Sequence, residues 1–284
     1  MTKQEFQELV KKGTVLLDGA TGSNLMRAGM PRGVCTEQWV CENPRPLMEL
    51  QKAYREAGSQ IVYAPTFSAN RISLANHGLQ DKVEELNKTL IGISRKAVGT
   101  GCLVAGDLTT TGKQEMPYEE LLEAYKEQIT AQIEAGADLL VAETMLGETE
   151  PMAVLDAAAS VCDLPVMCTL TVESDGSLFF GGNVYDAAKA LADMGADAVG
   201  INCSTGPDQL MAVTENLRKA VDIPLIVKPN AGMPVIDDQG NPVYSMEARE
   251  FAINMKRLIG VGVDIAGGCC GTTPEYIREL KGIL

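Results

Sequence analysis

The chain has 284 residues, 45% hydrophobic but only 5% aromatic, so a large core must be built mainly from Leu, Val, Ile, Met and Ala. Its formal charge of −14 works against binding phosphate backbones or anionic membranes, and no dense Lys/Arg block offsets it. No apolar run approaches the ~18 residues of a membrane span and no signal-peptide core follows the N-terminus, which points to a soluble, cytoplasmic protein without nucleic-acid or membrane partners.

In chain order, residues 1–13 carry Phe6, Leu9 and Val10 at helical spacing and predict a short amphipathic helix. Eight apolar runs then read as strands: 14–18, 60–65, 102–107, 138–143, 165–171, 198–203, 224–229 and 263–268. Most are continuous rather than alternating, the pattern of parallel strands buried on both faces. Helical stripes lie between them, such as Leu121, Leu122, Tyr125, Ile129 and Ile133 after Pro117, and Leu210, Val213 and Leu217 after Pro207. A weak repeat runs through Ala57-Gly58-Ser59-Gln60-Ile61, Ala135-Gly136-Ala137-Asp138-Leu139, Met194-Gly195-Ala196-Asp197-Ala198 and Ile259-Gly260-Val261-Gly262-Val263-Asp264-Ile265. Each copy reads as a helix end, a glycine stop and a polar entry into a strand. Eight such units without a break in composition predict one domain, 1–284, folded as a (β/α)8 TIM barrel. An open doubly wound sheet is the competing fold, but no Gly-x-Gly-x-x-Gly follows the first strand.

A barrel carries its chemistry at the C-terminal ends of its strands. The sixth predicted strand ends in Gly200-Ile201-Asn202-Cys203 and the eighth in Gly267-Gly268-Cys269-Cys270-Gly271. Three of eight cysteines therefore share one face, while the single histidine, His77, precedes Gly78 in what reads as a helix end. Three thiolates suit zinc, which takes Cys at about 2.3 Å, and three protein ligands leave the open fourth position of a catalytic site. A thiol brought to that position loses its proton, so alkyl transfer to sulfur is the natural chemistry. The glycines around the pair permit the backbone that adjacent ligands need. Cys102 and Cys168 lie in apolar strands and read as core, Cys162 sits near a helix end, and Cys35 and Cys41 have no spacing that suits a metal.

These motifs, with Asp18-Gly19-Ala20-Thr21-Gly22, Thr66-Phe67, Ala69-Asn70-Arg71, Lys228-Pro229-Asn230-Ala231-Gly232 and the extension Thr272-Thr273-Pro274, resemble the homocysteine S-methyltransferase family. The resemblance spans nearly the whole chain and is strongest to the homocysteine-binding barrel of cobalamin-dependent methionine synthases. It implies a zinc site on Cys203, Cys269 and Cys270, with Asn230 as a further ligand when substrate is absent. It implies that Glu143 binds the substrate ammonium, that Asp18 lies in the same pocket, and that backbone amides around Gly19, Ala20 and Thr66 hold the carboxylate. It leaves the methyl donor open between methylcobalamin on a partner corrinoid protein, or on separate folate and cobalamin modules, and a small donor such as S-methylmethionine. Betaine is disfavoured, since one Trp and five Phe offer little material for an aromatic cage. Two other classes compete: a non-catalytic zinc or redox-sensing barrel, and a phosphate-binding barrel using the glycines at 267, 268 and 271.

Overall fold

The computed structural model describes residues 1–238 and 242–284. Eight parallel strands occupy Val15–Leu16, Ile61–Tyr63, Leu103–Leu108, Leu139–Met145, Val166–Leu170, Ala198–Cys203, Leu225–Pro229 and Ile265–Ala266, numbered first to eighth below. All eight fall within or across the predicted runs. They form one sheet in which the eighth strand lies between the first and the seventh, and the rest follow in descending order to the second. The ring closes where Gln60 N–H donates to Leu16 O at 2.7 Å and Gln60 Oε1 accepts Leu16 N–H at 3.1 Å. With helices around it, this is the predicted (β/α)8 barrel.

The four repeat copies share one device. Asp138, Asp197 and Asp264 each donate their N–H to the carbonyl of Val104, Val166 or Leu225 on the neighbouring strand, and each accepts that same residue's N–H on its carboxylate. Gln60 does the same to Leu16 with an amide oxygen. Gly58, Gly136, Gly195 and Gly262 precede these residues with φ between 90° and 120°, a conformation that costs any residue with a Cβ. In the fourth copy the turn glycine is therefore Gly262 rather than Gly260.

Burial on both faces explains the continuous apolar runs. Inward-facing Leu17, Ile61, Ala105, Val141, Met167, Ala198, Ile226 and Ile265 pack inside the barrel, and outward-facing Leu140, Ala142, Val199, Ile201 and Val227 pack beneath the helices. The predicted N-terminal helix spans Lys3–Lys11 and is started by a capping box between Thr2 and Glu5. Its Phe6 is fully buried against the inner barrel residues. Lys3 pairs with Asp197 at the entry to the sixth strand, so this helix closes the N-terminal end of the barrel. After the seventh strand come two short antiparallel strands, Val235–Ile236 and Pro242–Val243, which sequence reading missed. No described helix is long and apolar enough to cross a membrane.

Candidate active site

The C-terminal mouth of the barrel gathers the three predicted cysteines. Cys203 Sγ lies 3.3 Å from Cys269 Sγ and 3.7 Å from Cys270 Sγ, and all three sulfurs fall within 4.8 Å of one another. The seventh strand holds the two cysteine segments together from between: Cys269 N–H donates to Pro229 O at 2.7 Å, Ala231 N–H donates to Cys270 O at 2.9 Å, and Cys203 is in register with Pro229. The glycines around the pair act by two routes, only one of them the backbone freedom read from the sequence. Gly271 turns with φ 83°, whereas a Cβ on Gly267 would lie 2.7 Å from Leu17 Cβ and one on Gly268 would lie 2.5 Å from Thr272 Oγ1. Cys203 and Ser204 take left-handed backbone, φ 55° and 62°.

Three converging thiols are a donor set for a soft or borderline divalent cation. Asn230, between the two residues that bond the cysteine segment, is buried with no hydrogen-bond partner for its Oδ1. Three clustered thiols, with an orphaned buried oxygen on the residue between those two backbone bonds, fit a metal site. Hydrogen bonding to Cys203 and then Cys269 holds Cys270 well below the usual thiol range, while hydrogen bonding to Cys269 and Cys270 pushes Cys203 up.

Above the apolar interior the inward-facing positions turn polar. Two residues beyond Ile61, Ala105, Val141, Met167 and Ile226 stand Tyr63, Asp107, Glu143, Thr169 and Lys228. At the same level the sixth and eighth strands carry Gly200 and Gly267, where a Cβ would meet Ile226 O at 1.9 Å and Lys228 Cγ at 3.3 Å. The missing Cβ of Gly267 leaves room for Lys228 to reach across the mouth, while Gly200 is required by the close approach of the seventh-strand backbone. Its Nζ lies 3.2 Å from Glu143 Oε1, 3.5 Å from Asp18 Oδ1 and 4.8 Å from the centre of the Tyr63 ring. Asp18 also accepts Tyr63 N–H at 2.8 Å.

Burial sets the charges in this layer. It pushes Asp18 up to about 6 and Glu143 up to about 7, against the opposing pull of Lys228. It also drives Asp107 well above the carboxylate range, with Glu143 adding to the rise. Burial alone would lower the Lys228 ammonium, but Glu143 and Asp18 outweigh it and hold it above the usual lysine range.

The structure thus brings Asp18 and Glu143 together beside the thiols. The three other predicted substrate positions are engaged internally. Ala20 N–H donates to Thr272 Oγ1 at 3.1 Å, and Gly19 lies so close to Tyr54 that a Cβ would sit 2.6 Å from its hydroxyl. Thr66 is fully buried, gives its N–H to Ala64 O, and ties its hydroxyl to the Asp107 backbone. Sequence reading gave no role to Lys228, Asp107 or Asn202, although ionisable or amide residues inside apolar strand runs were a visible signal. Cys102 and Cys168 are buried, Cys162 caps the helix Thr149–Val161, and no cysteine is in a disulfide. His77 is exposed in a short turn before Gly78.

A (β/α)8 barrel with a trithiol cluster and a carboxylate pocket at its catalytic face defines a class of barrel enzymes that handle sulfur. Comparison with known proteins narrows it. The homocysteine S-methyltransferase family profile matches residues 15–284. The chain belongs to the homocysteine S-methyltransferase family of enzymes. Methionine synthase from Mycobacterium leprae is 30% identical over 300 residues and that from Mycobacterium tuberculosis 29%, in both cases covering 97% of this chain. The chain spans only 25% of the length of either relative. The metallated form of the homocysteine methyltransferase MmuM from Escherichia coli superposes with a TM-score of 0.82 at 25% identity, covering 98% of this chain and 99% of that one. Its oxidized form superposes at 0.80 and 26% identity, covering 95% and 96%.

Proposed function

We propose that residues 1–284 act in the cytoplasm as one homocysteine-binding unit that methylates homocysteine to methionine, with zinc held by Cys203, Cys269 and Cys270. The observation that carries this reading is the placement of three sulfurs within 4.8 Å of one another beside the buried Asp18 and Glu143 carboxylates. Zinc, when bound, supplies acidity to a substrate thiol at neutral pH. Asn230 contributes its unpartnered Oδ1 to the metal when homocysteine is absent.

The chain's own groups do the rest. Glu143 and Asp18 take the substrate ammonium, and Lys228 holds both carboxylates in the mouth. Backbone around Gly19, Ala20 and Thr66 faces the substrate carboxylate, although Ala20 and Thr66 must then share or exchange their internal bonds. The substrate sulfur attacks the methyl carbon, and the bond from that carbon to its carrier breaks with its electron pair left on the carrier. Protein-bound methylcobalamin is the proposed donor, delivered by a corrinoid protein or by folate and cobalamin modules, in keeping with the match to methionine synthases. A second reading is a self-sufficient enzyme, favoured by the end-to-end match to the Escherichia coli homocysteine methyltransferase, with S-methylmethionine as its proposed small donor.

The test is methionine formation from homocysteine by the zinc-loaded protein, with methylcobalamin and S-methylmethionine in parallel. Turnover with one donor alone selects between the two readings. Cys203→Ser, Cys269→Ser and Cys270→Ser are each expected to lose zinc and activity together, whereas Cys102→Ser keeps both. Full activity in a metal-depleted variant, or zinc lost from Cys102→Ser, overturns the metal assignment.

A further inference from the structure

Asn202 precedes a proposed metal ligand, yet the chemistry above leaves it without a role. It is 1% exposed, and its side chain leaves the sixth strand to reach the fourth. Its Oδ1 accepts Thr144 N–H at 2.9 Å and its Nδ2 donates to Thr144 Oγ1 at 2.7 Å. The same Nδ2 lies 3.9 Å from Cys269 Sγ. Its carbonyl oxygen accepts from the hydroxyls of Thr171 at 3.3 Å and Ser204 at 3.0 Å, and Ser204 Oγ accepts Val172 N–H at 2.9 Å. One residue therefore ties the tips of the fourth, fifth and sixth strands to one another and to a thiol.

The backbone around this clamp is strained. Thr144, Cys203 and Ser204 have φ of 59°, 55° and 62°, and a β-branched residue in that region persists only where its surroundings hold it. At Thr144 the two bonds from Asn202 supply that hold. Glu143 immediately precedes Thr144, and Cys203 immediately follows Asn202. The clamp therefore fixes the separation between the carboxylate assigned to the substrate ammonium and the thiol cluster assigned to its sulfur.

We infer that Asn202 is a positioning residue that sets the chain length of the thiol substrate, fitting the site to an amino acid with two methylenes before sulfur and against cysteine, which has one. The inference rests on the proposed reading of Glu143 and the thiol cluster as the two ends of the homocysteine site. An amino-acid thiol of the wrong length cannot satisfy both ends without giving up one contact. One methylene in a shaped pocket is worth about 10–200-fold in discrimination.

The test uses titration calorimetry on the zinc-loaded protein with L-homocysteine, L-cysteine and 2-mercaptoethanol, the last a thiol without an ammonium. The unaltered chain is expected to favour homocysteine over cysteine by about 10–200-fold. Asn202→Leu, which removes the two bonds to Thr144 and the contact with Cys269 Sγ, is expected to shrink that ratio about tenfold or more, on the scale of one methylene, with zinc content and 2-mercaptoethanol affinity unchanged. Thr144→Val keeps the N–H bond and the side-chain shape, so its loss is smaller, and it serves if Asn202→Leu does not fold. Asn202→Asp still accepts from the Thr144 N–H and hydroxyl and restores most of the ratio. A ratio unchanged in both Asn202→Leu and Thr144→Val overturns the inference. Homocysteine bound no better than 2-mercaptoethanol by the unaltered chain overturns the site reading and the inference with it. Glu143→Gln separates the two failures, because it lowers homocysteine affinity under the site reading whatever Asn202 does.

Discussion

Asp18, Asp107 and Glu143 place three carboxyls in one buried layer facing the Lys228 ammonium. Water would hold each carboxyl ionised well below neutrality, and burial raises all three. With Glu143 raised to about 7 and Asp18 to about 6, both are protonated below those values and ionised above them. A substrate ammonium, charged throughout this range, is attracted only to the ionised forms. The KM for homocysteine is therefore expected to rise as pH falls from about 8 to about 6, and initial-rate measurements check it. Glu143→Gln should raise KM at the upper end and flatten most of the dependence. A KM independent of pH in the unaltered chain would remove Glu143 from the ammonium site.

The recurring turn before a strand is the unit of construction at the scale of elements. Its glycine ends the helix, and the polar residue after it pairs twice with one residue of the adjacent strand, through its own N–H and through its side chain. That second bond satisfies a strand-entry N–H that no ladder partner reaches. Removing the acceptor leaves a buried donor unsatisfied, at a cost of about 1–3 kcal/mol. Asp197→Ala is expected to lose that much stability by denaturant unfolding, and Asp197→Asn, which keeps an acceptor oxygen, much less. Equal losses in the two variants would mean that the Lys3–Asp197 ion pair, not the strand bond, is what matters.

Considered as a whole, the barrel has two unlike ends. Its floor is apolar and closed by Phe6 from the N-terminal helix, while its mouth is polar and holds the thiols and carboxylates. Stability and chemistry are thereby separated along the barrel axis, as is general for this fold. Phe6→Ala is expected to cost about 3–5 kcal/mol in denaturant unfolding while leaving the KM for homocysteine unchanged under folding conditions. A KM that moves with Phe6 would show that the floor and the mouth are coupled. The mouth also carries the paired strands Val235–Ile236 and Pro242–Val243, whose named residues are solvent-exposed.

Parallel strands covered on both faces must be apolar at nearly every position, so their number and order could be read from the chain alone. The glycine turns and the asymmetry of a barrel then placed Cys203, Cys269 and Cys270 on one face without coordinates. That inference needed only which end of each strand they occupy. Periodicity assigns a side chain to a face but not to a partner, and there the sequence ran out. The Asn202–Thr144 clamp joins residues 58 positions apart, and the Thr66 hydroxyl reaches the Asp107 backbone 41 positions away instead of standing free for a ligand. Lys228 stood in a recognised motif without a partner, and only the structure shows it crossing past Gly267 to Asp18 and Glu143. The sequence by itself determined the barrel and which three cysteines share its mouth, because both follow from local pattern and strand polarity. The tertiary structure alone decided how charge and distance are arranged around that set, because those depend on contacts between strand tips far apart in the chain.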